Sequence, residues 1–373
     1  MQKSTPHALL VFGTRPEAIK MAPVIRECQK RSASLSHQIC VTGQHLEMLK
    51  QVTDYFEIQA DINLQVMSPG QSLAELTSRC IAGIDKLVEQ NNFTHIVAQG
   101  DTTTVLAAAM VSFYRKITFV HIEAGLRTHN LNSPWPEEYN RRVAGISANI
   151  HCAATDRARK NLVDEGILPS QIHVTGNTVV DALRQTLDKE QHSHHWKKKY
   201  HYLSEKTFIL VTAHRRENFG KGIQQICEAL RTIAMANPTL HIVFPVHLNP
   251  QVRLEVRKHL GEHKNVHLIE PCIYPEMVWL MNECLFIMTD SGGIQEEAPS
   301  LKKPVVVMRD TTERQEAVTT GCAILAGTES SSILEAAQLL LSDTNNLNQF
   351  TCKENPFGNG HAAEKIVELI VNS

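Results

Sequence analysis

Short apolar runs rich in β-branched residues recur along the chain, and longer amphipathic stretches separate them. Compact runs of this kind are typical of buried strands, whereas an apolar stripe repeated every three or four residues is typical of a helix. The runs predict six strands in each half of the chain: 8–12, 37–41, 95–99, 117–122, 150–154 and 172–175, then 207–213, 241–245, 266–269, 285–289, 304–308 and 323–326. Because strands that alternate with helices form parallel sheets through right-handed crossovers, we predict an α/β fold with a parallel sheet in each half of the chain.

Local signals predict where some helices begin and end. Ser72 and Glu75 form a capping box ahead of an apolar stripe, so a helix is predicted to begin after Ser72. Gly166 stands where the terminal glycine of a helix belongs. The polar, lysine-rich segment 187–206 has no clear period and is predicted to be the end of a helix followed by a linker. Its four histidines could bind a metal, but a solvated loop is the favoured interpretation.

The composition is that of a globular protein with balanced charge. The chain has 373 residues, 42% of them hydrophobic, and a formal net charge of −2; this length suggests two domains. Balanced charge argues against a nucleic-acid-binding surface, and no apolar run approaches the roughly 18 residues of a membrane span. The N-terminal segment enters the first predicted strand without a cleavable signal. Nine cysteines without a CxxC spacing argue against a disulfide framework or structural zinc and favour the reducing cytoplasm.

Arg, His, Asp and Glu side chains are concentrated directly after the predicted strands. In open α/β sheets, ligands bind beyond the carboxyl ends of the strands, so these residues are expected to line one cleft between the domains. Loops are polar in any protein. However, Arg15, His214 and Arg314 stand immediately after buried strands, which the polarity of loops explains less well.

The segment 290–299 has the pattern of a strand end, a glycine turn and a helix start. Backbone N–H groups of Ser291, Gly292 and Gly293 would point out of the helix N-terminus, where the helix dipole favours an anion. Taken alone, these residues are explained equally well by an ordinary tight turn. Together with the arginines at other strand ends, they indicate a polyanionic ligand such as a diphosphate.

Several familiar catalytic motifs are absent from the sequence. No GxGxxG follows the first strand and there is no Walker lysine motif, which disfavours a dinucleotide cofactor and ATP hydrolysis. HExxH, a paired Asp-x-Asp and GxSxG are also missing, which disfavours a zinc hydrolase, a metal-held diphosphate and an α/β-hydrolase. The sequence therefore offers no motif for any of these familiar sites.

Four carboxylates after strands in the first half are the candidate acids and bases. Asp101 could instead cap the helix that follows it, and Glu137 or Glu138 could complement a helix dipole. Glu123 lacks such an alternative, because it stands between an apolar strand and a glycine turn, where it is expected to be largely buried. Carboxylates near a diphosphate have raised pKa values, which suits proton transfer near neutrality, and His214 could assist a leaving phosphate oxygen.

Taken together, the strand-end segments resemble the non-hydrolysing UDP-N-acetylglucosamine 2-epimerases. The matching segments cover nearly the whole chain in family order: FGTRPEAIKMAP (12–23), GDTTT (100–104), EAGLRT (123–128), SPWPEE (133–138), GNT (176–178), TAHRREN (212–218), PVHLNP (245–250), TDSGGIQEEAPSL (289–301) and RDTTER (309–314). The resemblance implies two Rossmann-like domains in the glycosyltransferase-B arrangement, with the active site in the interdomain cleft. It places the first domain at 1–178 with a returning helix at 361–373, and a UDP-binding domain at 179–360.

The resemblance also implies the reaction. Family members interconvert UDP-N-acetylglucosamine and UDP-N-acetylmannosamine by anti elimination of UDP and re-addition through a 2-acetamidoglucal intermediate. They need no cofactor, act as homodimers and supply bacterial surface polysaccharide synthesis. The resemblance therefore implies a cytoplasmic homodimer that binds UDP-N-acetylglucosamine and has neither a membrane nor a nucleic-acid partner.

By motif position, the resemblance implies a role for each candidate residue. The acid/base set is Asp101, Glu123 and Glu137, and His214 assists the departure of UDP. Glu297 binds the ribose diol, and the full substrate-binding set is Arg15, Lys20, Ser291, Gly292, Gly293, Glu297 and Arg314. Bacterial relatives are also activated by UDP-N-acetylglucosamine at a neighbouring allosteric pocket, where the matching residues are Gln44, Glu138, Arg215 and His247.

Three positions depart from the family pattern. Some relatives carry an arginine near Gly70, and its absence leaves activation by substrate open. Gln315 replaces the proline usual after TTER, and Met277 stands where an aromatic residue often packs on the uracil. The last two departures concern nucleotide affinity rather than the chemistry.

Four other functions remain open. A hydrolysing relative would release UDP and free N-acetylmannosamine, and another epimerase would use a 6-deoxy UDP-N-acetylhexosamine. A glycosyltransferase of the same architecture would need an acceptor, and an inactive UDP-sugar sensor would need no acid/base set. The intact segments at 133–138 and 214–217 favour the non-hydrolysing branch, and the full carboxylate set argues against a sensor.

Overall fold

The computed structural model describes residues 5–43, 46–213 and 220–373. The strands within these residues are β1 (His7–Phe12), β2 (Ser36–Val41), β3 (Ile62–Asn63), β4 (His95–Gln99), β5 (Thr118–Ala124), β6 (Ile150–Ala153), β7 (Ile172–Val174), β8 (Phe208–Thr212), β9 (His241–Pro245), β10 (Val266–Ile269), β11 (Ile287–Thr289), β12 (Val305–Val307) and β13 (Ala323–Leu325). The helices are α1 (Arg15–Lys30), α2 (Leu46–Tyr55), α3 (Leu73–Gln90), α4 (Thr103–Arg115), α5 (Glu137–Ser147), α6 (Asp156–Asp164), α7 (Thr178–Glu190), α8 (His195–Lys199), α9 (Lys221–Ala236), α10 (Pro250–Leu260), α11 (Tyr274–Glu283), α12 (Gly292–Glu297), α13 (Gln315–Thr319), α14 (Ser330–Ser342), α15 (Thr344–Gln349) and α16 (Ala362–Asn372). The chain forms two compact units, Met1–Ala182 with Phe357–Ser373 and Leu183–Pro356, which we call the first and second unit.

The first unit is built on a seven-stranded parallel sheet in the order β3-β2-β1-β4-β5-β6-β7. Buried apolar side chains of β1, β4 and β5 pack against those of α3 and α4, for example Leu9 and Ile96 against Ile84 and Val105. Because the strands are parallel, all their carboxyl ends lie along one edge of the sheet. That edge is the one on which the sequence concentrates charged side chains.

The second unit holds a six-stranded parallel sheet in the order β10-β9-β8-β11-β12-β13. Its core is formed by strand residues such as Val211 and Phe244 packed against α9, α10 and α14. In each sheet the first strand in sequence, β1 or β8, lies in the interior, and later strands are added on both sides of it. This is the doubly wound order of Rossmann-like folds, so the predicted fold class is confirmed. All twelve predicted strands are present within two residues of their predicted ends, whereas β3, with two residues, is too short to form a recognisable apolar run.

The predicted helix ends are also present. Ser72 caps α3 by accepting a hydrogen bond from the Glu75 N–H, and the Glu75 side chain accepts one from the Ser72 N–H at 2.7 Å. Gly166 lies just beyond α6 with a φ of 88°, a left-handed conformation that glycine adopts without steric cost. These features are local in sequence, which is why the pattern alone predicts them.

The segment 187–206 is more regular than the linker predicted from its composition. It contains the end of α7 and the short helix α8. Tyr200 stacks on Trp279 with 5.4 Å between ring centroids, and its hydroxyl donates to Glu276 at 2.6 Å. The predicted end of a helix is confirmed at Glu190. The linker prediction was wrong, because two buried aromatic side chains, Trp196 and Tyr200, anchor a segment that is otherwise polar.

The last helix, α16, packs against α1 and so belongs to the first unit. The backbone N–H groups of Ala362 and Ala363 donate to the Asp181 carboxylate at 3.2 and 2.9 Å. Burial raises the pKa of Asp181. The chain therefore crosses back from the second unit at Phe357 and is held to the start of α7.

Two of the nine cysteines form a pair in the second unit. The α-carbons of Cys322 and Cys352 are 5.1 Å apart and their sulfur atoms are in contact, a spacing that suits a disulfide. The other seven cysteines are buried free thiols. One pair does not make a disulfide framework, but the sequence provided no signal for it.

Candidate active site

The carboxyl edge of the first sheet carries the predicted proton-transfer residues. Arg15 begins α1 shortly after β1, Asp101 follows β4, and Glu123 is the penultimate residue of β5. Lys20, in the second turn of α1, is buried and reaches the Glu123 carboxylate. The sequence assigned Lys20 to the nucleotide, whereas the structure places its ammonium against a candidate base.

Glu123 is the most constrained of the candidate carboxylates. Its φ of 63° lies in the left-handed region, and a β-bulge interrupts the pairing of β5 with β6 beside it. Three donors converge on Oε2: the Lys20 ammonium, Gln99 Nε2 at 3.0 Å and Asn177 Nδ2 at 3.0 Å. The residue is 7% exposed, which confirms the predicted burial. A strained, buried carboxylate surrounded by donors indicates a functional constraint.

Asp101 is bound by an arginine, and its neighbour Thr102 is the N-cap residue of the helix that follows. Its Oδ2 accepts hydrogen bonds from Arg141 Nε at 2.9 Å and Nη2 at 2.7 Å. The N-terminus of α4 is capped by Thr102, whose side chain accepts from the Val105 N–H. Thr102 therefore occupies the N-cap position of α4, and the Asp101 carboxylate stays partly exposed at the edge of the sheet.

Glu137 and Glu138 both begin α5 but differ in their surroundings. The fully buried Glu138 accepts hydrogen bonds from the N–H groups of Thr128 and His129, each at 3.1 Å, and from Arg141 Nη1 at 3.1 Å. Glu137, by contrast, is half-buried at the first position of the helix. Glu138 thus fixes the backbone at 128–129. It could contact a ligand in the predicted allosteric pocket directly only if that backbone moved.

Glu17 joins the loop after β1 to the loop after β4. Its Oε2 accepts from the N–H groups of Gly13 at 3.0 Å and Thr14 at 2.7 Å, and its Oε1 accepts from the Thr102 hydroxyl at 2.6 Å. Burial raises the pKa of Glu17. These contacts hold the loop that carries Arg15 beside the loop that carries Asp101.

His121 supports the same edge from within β5. Its Nε2 lies 2.8 Å from the Gly100 carbonyl, and Gly100 has a φ of 88°. Burial lowers the pKa of His121 to about 4, so the imidazole is neutral near pH 7 and donates its Nε2–H to that carbonyl. The hydrogen bond fixes the backbone immediately before Asp101.

In the second unit, the predicted anion-binding turn follows β11. Ser291 is the N-cap residue of α12, which begins at Gly292. A Cβ on Gly292 would lie 2.7 Å from Cζ of Arg314, so the guanidinium rests directly on the glycine backbone. Glu296 accepts a hydrogen bond from Arg314 Nε at 2.9 Å. The structure thus places the Arg314 guanidinium at the turn formed by Ser291 and Gly292.

Glu297 is oriented by an aromatic hydroxyl. Its Oε1 accepts from the Tyr274 hydroxyl at 2.6 Å, and both residues are 6% exposed. Two residues earlier in α12, Gln295 accepts a hydrogen bond from the Thr312 hydroxyl at 2.7 Å. The 309–314 segment and α11 therefore hold α12 from two sides.

Three of the predicted site residues lie outside the described ranges, and a fourth lies exposed after β9. Gln44, His214 and Arg215 lie outside the described residues. His247 is exposed directly after β9, and its Nδ1 accepts from the Asn249 N–H at 3.2 Å. The roles assigned to these four residues stay predictions.

The described ranges lack both a membrane-spanning helix and a cluster of metal-binding side chains. No helix there is both long and apolar enough to span a membrane. The same ranges contain no group of three or more His, Cys, Asp or Glu side chains arranged to hold a metal ion.

Five of the residues described above were not assigned roles from the sequence: Glu17, Gln99, Arg141, Asn177 and Tyr274. Glu17 has the spacing of a capping box with Thr14, three residues earlier, so its contact with the start of α1 could have been predicted from the sequence. Gln99 and Asn177 lie at strand ends, where an amide is unremarkable by composition. Their convergence on one carboxylate depends on the order of strands in the sheet.

Comparison with known proteins identifies close relatives over the full chain. Residues 26–371 match the family described as UDP-N-acetylglucosamine 2-epimerase. The chain is 45% identical over 371 residues to the UDP-N-acetylglucosamine 2-epimerase of Campylobacter jejuni, with 97% of each covered, and 47% identical over 370 residues to that of Escherichia coli K12, with 98% of each covered. The crystal structure of UDP-GlcNAc 2-epimerase from Neisseria meningitidis bound to UDP-GlcNAc matches with a TM-score of 0.95 at 46% identity, covering 98% of this chain and 100% of that one.

Proposed function

The chain belongs to the UDP-N-acetylglucosamine 2-epimerase family, and from this premise we propose that it interconverts UDP-N-acetylglucosamine and UDP-N-acetylmannosamine without releasing free sugar. The observation that carries the proposal is Glu123, a buried and strained carboxylate surrounded by three side-chain donors at the edge of the first sheet. The reaction makes the protein an isomerase. The surroundings of the carboxylates and arginines support each step.

The first step breaks two bonds of the substrate. The proton on carbon 2 is barely acidic, so the bond from carbon 1 to UDP must break largely before the proton leaves. The electron pair of that bond goes to UDP, the proton goes to a carboxylate, and a 2-acetamidoglucal remains. We assign this proton traffic to Asp101, Glu123 and Glu137, because inversion needs an acid or base on each face of the sugar. Re-addition of UDP with a proton on the opposite face completes the epimerisation.

Departure of UDP requires stabilisation of the diphosphate. We assign this to the N–H groups at the start of α12 and to the Arg314 guanidinium that rests on Gly292. Glu297, oriented by Tyr274, would accept hydrogen bonds from the ribose hydroxyls. Arg15 and His214 complete the set, His214 by assisting the leaving oxygen.

The reaction is tested by incubating the protein with UDP-N-acetylglucosamine in heavy water and following the sugar by NMR. We expect deuterium at carbon 2 and a mixture of two UDP-sugars with the gluco form in excess. Free N-acetylmannosamine as the main product would move the protein to the hydrolysing branch. Absence of deuterium exchange would refute epimerisation of this substrate, and the 6-deoxy analogue would be tested next.

The Gly292→Ala substitution is expected to weaken UDP binding about tenfold, a loss of about 1.4 kcal/mol. The new methyl would lie 2.7 Å from Cζ of Arg314 and displace the guanidinium from the turn. Isothermal titration with UDP measures the effect. A double-mutant cycle supplies the control: in an Arg314→Ala background, Gly292→Ala should cost almost nothing further. Additive losses would show that the methyl acts without Arg314.

We further propose a homodimer. Phe113 and Tyr114 at the end of α4 are 68% and 65% exposed, and Ile146 on the adjacent α5 is 80% exposed. Large apolar side chains exposed together on neighbouring helices mark an interaction surface, and a second copy of this chain is the partner we propose.

Activation by the substrate and location in the cytoplasm are also proposals. For activation, the supporting residues are the exposed His247 together with Gln44 and Arg215, while Glu138 would act through the backbone at 128–129 that it binds. For the location, seven buried free thiols are typical of a reducing compartment.

A further inference from the structure

We infer that Gln99 and Asn177 are positioning residues for Glu123, an inference that rests on the proposed function. Their amide groups fix the Glu123 carboxylate for proton transfer at carbon 2 of the sugar. Both side chains act on the reaction through Glu123 and do not transfer a proton to or from the sugar themselves.

The two amides come from distant parts of the chain and meet on one oxygen. Gln99 ends β4 and Asn177 follows β7, yet Nε2 of the first and Nδ2 of the second each lie 3.0 Å from Glu123 Oε2. The two residues are 3% and 2% exposed. Burying an amide costs free energy unless its N–H donors form hydrogen bonds. The carboxylate satisfies these donors, and the two amides in turn hold the carboxylate in one position.

The orientation of the Asn177 amide is determined by its other contact. Its Oδ1 accepts from the Val179 N–H at 3.1 Å, and only a carbonyl oxygen can do so; Nδ2 therefore faces Glu123. The Asn177 backbone N–H donates to the Phe357 carbonyl at 2.7 Å. Because Phe357 starts the returning C-terminal segment, that segment holds Asn177 in place.

The amides supply something that Lys20 does not. An ammonium is a compact charge with three donors that rotate freely, so it attracts the carboxylate without fixing its plane. Two planar amide donors from different directions restrict that plane. Proton transfer from carbon requires the base to be placed closely, and a displacement of about 1 Å can cost about 10²-fold in rate.

Near-isosteric substitutions test the inference. Asn177→Asp retains the acceptor for the Val179 N–H but places a carboxylate oxygen where the donor to Glu123 was. Gln99→Glu makes the same exchange in β4. For each variant we expect kcat for carbon-2 deuterium incorporation to fall about 10- to 100-fold, while KM and the dissociation constant for UDP stay within about twofold of wild type.

The matched control is Asn91→Asp. Asn91 is a half-buried amide that donates to the Leu87 carbonyl at 2.9 Å at the end of α3 and ahead of β4, so it lies away from the carboxyl edge of the sheet. It should keep wild-type kcat. Wild-type kcat in Asn177→Asp and Gln99→Glu would overturn the inference. A joint loss of kcat, UDP affinity and thermal stability would also overturn it, because the amides would then only support the fold. If the wild-type protein incorporated no deuterium, the proposed function itself would fail, independently of the variants.

Discussion

Replacing Glu123 with Gln is expected to lower the rate of carbon-2 deuterium incorporation by at least about 10²-fold, the scale for loss of a positioned acid or base. The new amide has nearly the same shape, but it cannot take up a proton. If its NH₂ group took the place of Oε2, a donor would face the three donors that converge there. UDP binding should be nearly unchanged, because Arg314 and the N–H groups at the start of α12, which we assign to the diphosphate, lie in the second unit. Deuterium exchange and UDP titration on the same preparation separate the two effects.

Glu276→Gln is the matched control for this substitution. Glu276 is likewise buried and is also bound by a lysine, Lys199, and by the Tyr200 hydroxyl, but it lies in α11. Its variant should lose thermal stability and retain the exchange rate. A Glu123→Gln protein that kept more than a tenth of wild-type exchange would remove Glu123 from the acid/base set.

Replacing Gly125 with Ala is expected to destabilise the first unit by about 3–5 kcal/mol, combining left-handed strain with overpacking. Gly125 has a φ of 89°, and a Cβ there would lie 2.2 Å from the backbone oxygen of Ala158. A backbone oxygen cannot rotate away as a side chain can, so β5 and α6 must separate. The free energy of unfolding, measured by denaturant titration with a probe in the first unit, reports the loss.

Gly70→Ala separates strain from steric clash. Gly70 also has a left-handed φ, 71°, but no atom lies within 4 Å of the position its Cβ would occupy. This substitution should cost only about 1–2 kcal/mol. Equal losses in the two variants would show that the contact with Ala158 relaxes in solution. Because Gly125 lies two residues after Glu123, a partly folded Gly125→Ala protein should also lose deuterium exchange.

The prediction of the fold succeeded where the signal was local. The apolar runs of β1 and β8 and the capping box at Ser72 are each contained in a few consecutive residues, and the structure reproduces them. The linker prediction failed within 187–206, where Tyr200 is anchored by Glu276, a residue far along the chain. It also left the role of Asp101 open between a cap and an acid, because the competing cap, Thr102, is its immediate neighbour.

By itself, the sequence determined the α/β class, the strands and the carboxylates and arginines at their ends, because periodicity and residue type are properties of short segments. Only the tertiary structure decided that Lys20 lies against Glu123, that Arg141 binds Asp101, and that Arg314 rests on Gly292. The physical reason is the order of strands in a parallel sheet: it brings β4, β5 and the residues after β7 to one edge. Contacts of a few ångströms across that edge join residues that no spacing along the chain relates.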